Sequence, residues 1–113
     1  LRPNIYFSVE NREDSFELSG LKLPVLQVIS PNSGDFVIEV AAEKGTTSYF
    51  RQWMESTEPR KVTIDIETHD DEHVETWRMN CLPEGMVVTE VTKNSKDPWT
   101  LSVQLSAKNI KVV

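Results

Sequence analysis

Apolar and polar residues alternate with a period of two along most of this chain, and the alternation gives way once to a helical spacing. Ile5, Phe7 and Val9 share one face of residues 4–10, while Tyr6, Ser8 and Glu10 share the other, the pattern of a half-buried strand. Phe16 and Leu18 open a short second strand, which Ser19-Gly20 interrupts as a bulge or turn would. Residues 23–30 read as a third strand. Pro24 there favours an edge or a strand start, because proline has no N–H to give the ladder. Pro31-Asn32-Ser33-Gly34 is a turn signal, and Phe36, Ile38 and Val40 then alternate through residues 35–43.

The helical stretch is Thr47–Ser56, TSYFRQWMES. Tyr49, Phe50, Trp53 and Met54 stack on one side of a 3.6-residue helix, with Arg51, Gln52 and Glu55 turned away. Thr46-Thr47 is the expected N-cap and Pro59 the expected stop. Beyond it, residues 61–68 place Val62, Ile64 and Ile66 on one face and Thr63, Asp65 and Glu67 on the other. A polar turn at 69–72 leads to a strand at 73–81, with Trp77, Met79 and Cys81 inward. Leu82-Pro83-Glu84-Gly85 reads as a further turn, 86–92 as a strand, and 93–97 as a turn again. Residues 98–107 alternate Leu101, Val103 and Leu105 against Ser102, Gln104 and Ser106. Ile110 and Val112 extend that strand after a kink at Lys108-Asn109. The expected fold is mainly β: a small antiparallel barrel or sandwich of seven to eight strands, with one flanking helix.

Length and charge narrow the picture. The 113 residues are expected to form a single domain, 1–113, and the net charge of −6 argues against nucleic acid and anionic membranes as partners. No apolar run nears the ~20 residues that span a bilayer, so no membrane insertion is expected. Cys81 is the one cysteine, which rules out an intrachain disulfide and fits a reducing compartment. The opening LRPNIYFSVEN lacks a signal-peptide layout, and the first methionine is Met54, so the chain is expected to be trimmed or to follow a removed tag.

Candidate chemistry is sparse. His69-Asp70-Asp71-Glu72-His73 is the one cluster with metal-ligand residue types, but it reads as a solvated turn between two strands, since structural zinc sites are richer in cysteine. Cys81 ends an apolar strand face and reads as buried and inert. No phosphate loop, nucleophile elbow or Cys-x-x-Cys is present. Glu39, Asp65, Glu67, Glu75 and Glu90 read as a solvent face. Trp53 and Trp77 read as core, and Trp99 as partly exposed at a strand start. The expectation is a chain with no cofactor, no metal and no catalytic residues.

Phe50, Trp53-Met54 and Ser56 on a helix are followed by the strand Lys61-Val62-Thr63-Ile64, and Trp77 precedes Cys81 in the next. The run Leu101-Ser102-Val103-Gln104-Leu105-Ser106-Ala107-Lys108-Asn109-Ile110 closes the chain. In this order the set resembles the tube protein of contractile injection systems, the haemolysin-coregulated protein of type VI secretion. The likeness is greatest to the divergent version found in Bacteroidetes, itself similar to phage tail tube proteins. It covers roughly the C-terminal two-thirds. It implies a β-barrel with one flanking helix, assembled as a hexameric ring that stacks into a tube. Such a tube forms in the cytoplasm and is exported by a contracting sheath, with a spike or effector proteins as partners. The polar positions Thr63, Asp65, Glu67, Ser102, Gln104 and Ser106 are the candidates for lumen or subunit contacts.

The family also carries a long loop between early strands that helps one ring sit on the next. Here the connection is expected to be only Pro31-Asn32-Ser33-Gly34, which speaks against stacking. The competing expectation is a monomeric β-barrel binding or adaptor module for a protein or small ligand, using Trp99 and the turn 93–97. A hydrolase built on residues 69–73 ranks last.

Overall fold

The computed structural model describes residues 3–68, 70, 72–90 and 99–113. Its strands are β1 (Asn4–Val9), β2 (Phe16–Glu17), β3 (Gly20–Lys22) and β4 (Ser33–Ala41). The helix α1 (Lys44–Ser56) follows, then β5 (Arg60–Glu67), β6 (His73–Glu90) and β7 (Trp99–Val112). They form one antiparallel sheet of seven strands in the order β2-β1-β5-β6-β7-β4-β3. The sheet curls into a half-barrel, and a short corner of chain reaches both of its edges. Leu18 N–H bonds the Ile5 carbonyl on β1, and the next residue, Ser19, bonds the Glu39 carbonyl on β4.

Alternation sets the inner face. Phe7 and Val9, Val62 and Ile64, Trp77, Met79 and Cys81, Leu101, Val103 and Leu105, and Phe36, Ile38 and Val40 are all buried in one cluster. α1 lays Phe50 and Trp53 onto it. The Phe50 ring lies 4.9 Å from Phe16 and 6.1 Å from Phe7, centroid to centroid. The Arg12 guanidinium covers Phe16 from outside at 3.8 Å. Trp53 satisfies its buried indole N–H on the Glu58 carbonyl, 2.9 Å away, just past the left-handed cap Thr57.

Four expectations need correction. Residues 23–30 are not a strand: β3 ends at Lys22, and 23–32 form an irregular connection, because Pro24 has no N–H for β4 beside it and no ladder pairing runs past Lys22 among the described residues. The connection before β4 is therefore much longer than Pro31–Gly34. Leu82–Gly85 is not a turn. β6 runs straight through it with a register shift between Pro83 and Gly85, a bulge that Pro83 tolerates because ladder pairing is already broken there. Finally, α1 begins three residues before Thr47. Its cap is Glu43, in extended backbone, whose carbonyl accepts the Thr47 N–H, so the threonines lie inside the first turn.

The expected kink at Lys108-Asn109 is present. Asn109 has φ 57° and β7 continues to Val112.

Candidate functional site

The sheet's outer face carries the polar alternates of β5 and β7, interspersed with apolar residues such as Val37, Leu82 and Val87 on the neighbouring strands. On β5, Thr63 stands between Ser8 and Arg78, Asp65 between Tyr6 and Thr76, and Glu67 between Asn4 and His73. Thr76 is the buried polar side chain of the described residues and is fully engaged. Its hydroxyl donates to Asp65 Oδ1 at 2.7 Å and lies 2.8 Å from His73 Nε2. A hydroxyl has one hydrogen, and Asp65 receives it, so His73 Nε2 is the donor in the second bond. The relay ties β5 to β6 near their connecting turn, and among the described residues no buried side-chain polar atom lacks a partner.

On β7, Ser102 stands between Glu39 and Val87, Gln104 between Val37 and Gly85, and Ser106 between Asp35 and Leu82. The Gln104 side chain lies over Gly85, where an added Cβ would meet its Oε1 at 3.4 Å. Beside it runs an open cleft of about 410 Å³ between β4 and the start of the 23–32 connection, lined by Pro24, Val37, Glu84 and Gln104 among others. The two sets thus share one face but do not converge, because β6 lies between them.

A second cleft, of about 610 Å³, opens between the β2–β3 corner and the start of α1, lined by Arg12, Phe16, Glu17, Val40 and Glu43 among others. Neither cleft assembles a nucleophile with a base. Among the described residues no three His, Cys, Asp or Glu side chains group as a metal site, and His69 and Asp71 of the polar turn weighed as a metal candidate lie outside those residues. The strand end and turn expected at 91–98 also lie outside them. Trp99 is half-exposed, and Cys81 is buried, which pushes its thiol pKa far up. No described helix is long and apolar enough to cross a membrane.

One surface was hidden in the sequence. The 23–32 connection exposes Val25, Val28 and Ile29 at 82%, 99% and 92%, with Leu26 also exposed. Its root is fixed at both ends. Pro24 packs against Gly34, and the Asn32 carbonyl accepts the Ile110 N–H at 3.0 Å. The result is an apolar arm held at its base and unpartnered along its length. The signal was the apolar run Val25, Leu26, Val28 and Ile29 after a proline, which reads equally as a strand.

No family model and no curated protein matches the chain by sequence. Solved structures match it over almost its whole length. Hcp1 from Salmonella typhimurium superposes with a TM-score of 0.74 at 9% identity, covering 97% of this chain and 86% of that one. The fold is that of the Hcp tube proteins. Hcp1 from Flavobacterium johnsoniae gives 0.71 at 13% identity, covering 96% and 94%. A chain of the anti-feeding prophage baseplate, a six-fold symmetrised assembly, gives 0.63 at 18% identity, covering 99% and 92%.

Proposed function

We propose that this chain is a structural, non-enzymatic subunit of a contractile-injection tube, acting as one domain and assembling with copies of itself into rings, six to a ring. The observation that carries the reading is the Hcp fold over nearly the full chain, together with an arm that exposes Val25, Leu26, Val28 and Ile29. Four exposed branched residues in one segment are costly on a soluble surface unless something covers them. The arm joins two early strands, where the sequence resemblance places the loop that seats one ring on the next. With the connection spanning 23–32, the objection from a short loop is gone.

In this reading Thr63, Asp65, Glu67, Ser102, Gln104 and Ser106 face the lumen or a neighbouring subunit. Sheath, spike and effector proteins are the further partners, and assembly in the cytoplasm precedes export with the tube. Light scattering of wild type beside V28S/I29S tests it. The pair of serines is expected to leave the fold intact and weaken self-association. Equal association in both would remove the arm from the account. A wild type that stays monomeric would favour the competing binding or adaptor module.

A further inference from the structure

Lys61 on β5, Arg78 on β6, and Lys108 and Lys111 on β7 lie together on the outer face of three adjacent strands. Lys61 stands opposite Asn80, which stands opposite Lys108, and Arg78 faces Lys111 directly. In a regular strand, positions three apart point to opposite faces. The left-handed Asn109, with φ 57°, and the register shift between Arg78 and Asn80 insert one extra residue. That bulge returns Lys111 to the face of Lys108 and turns Ile110 into the core.

All these cations are exposed, and none forms an ion pair with a described carboxylate. Glu10, whose Oε2 accepts the Lys61 backbone N–H at 3.0 Å, and Asp35, opposite Ser106, border the patch. Arg78 directly across from Lys111 is a like-charge cross-strand pair, which works against the isolated fold. The chain has 18 carboxylates against 12 Lys and Arg, so anionic partners for these cations were plentiful within the molecule.

We propose that this cationic face is a docking surface for a second copy of the chain, which meets it with carboxylates. The inference rests on the tube-subunit reading. Two copies of net charge −6 repel unless the cations of one face the carboxylates of the other. The patch is also continuous with the arm. Ile110, whose N–H holds the arm's end at Asn32, sits between Lys108 and Lys111. A copy that covers Val28 and Ile29 has the cationic face within reach, so one contact combines an apolar anchor with charge steering.

The test is the self-association constant of the full chain by light scattering at about 50 and about 500 mM NaCl. R78E/K111E is compared with K44E/R51E, which changes net charge equally but on α1. We expect wild-type association to weaken with salt, R78E/K111E to weaken it at least about tenfold, and K44E/R51E to weaken it under about threefold. Equal effects of the two variants, or none from R78E/K111E, would overturn the proposal while leaving the ring reading standing. A wild type that never associates would overturn both. R78Q/K111Q, compared with K44Q/R51Q of equal charge change, removes the charges without reversing them and supplies the comparison if the reversed variant does not fold, as circular dichroism will show.

Discussion

Pro24 lies against Gly34 so closely that a Cβ on Gly34 would come within 2.8 Å of the Pro24 Cβ. No glycine here has positive φ, so the need for glycine is steric and not conformational. Gly34→Ala must therefore displace the root of the arm. We expect a loss of about 1–3 kcal/mol by urea unfolding, together with weaker self-association. Gly45→Ala is the contrast. Nothing lies within 4 Å of the Cβ it adds, and α1 should gain up to about 1 kcal/mol.

The helix is held by its aromatic pair. Phe50→Ala empties a site between Phe7, Phe16 and Trp53 and should cost about 3–5 kcal/mol. Trp53→Phe keeps most of the burial but leaves the Glu58 carbonyl without its donor, and should cost less than Phe50→Ala. Thermal unfolding of the two variants gives the order.

Asn109 is a structural switch of register. Asn109→Gly should be close to neutral, since glycine adopts φ near 57° without strain, while Asn109→Val should cost about 1–2 kcal/mol. Deleting Asn109 removes the extra residue and leaves Lys108 and Lys111 two positions apart on one face, so Lys111 stays outward and a loss no larger than that of Asn109→Val is expected. Denaturant midpoints for the three variants check this.

Cys81 gives a pH dependence with a defined sign. Burial raises its thiol pKa, so as pH rises the unfolded chain loses the proton first. The stability it contributes is fully present below the unfolded value near ~8.5 and falls above it by about 1.4 kcal/mol per pH unit. The stability difference between wild type and Cys81→Ala should narrow steadily from about pH 8.5 to about pH 10.5. A difference independent of pH would contradict the burial argument, as would rapid reaction of the folded thiol with a disulfide reagent.

Much of the fold was legible because one face of each long strand is buried. Val62-Ile64 on β5 and Leu101-Val103-Leu105 on β7 could be read only one way, since a shift of one residue would put them all in water. The helix was legible from Phe50 and Trp53, although its first turn was not, because Glu43 caps it through backbone alone. Pro83 and Gly85 carry the residue types of a turn and form a bulge instead, since β7 continues alongside to hold both halves of β6 together. Val25, Val28 and Ile29 were misread for the converse reason. Their pattern suits a strand, but whether a partner strand lies beside them is a property of the fold and not of the segment. The cationic face was invisible for the same cause, because Lys108 and Lys111 share a face only after the Asn109 bulge.

The central claim is assembly, and negative-stain imaging of concentrated wild-type chain, with its mass measured by light scattering on the same sample, tests it most directly. The account predicts rings with six-fold symmetry that stack when the arm is intact and remain single rings in V28S/I29S. A monomer at every concentration, with no ring in any image, would contradict it.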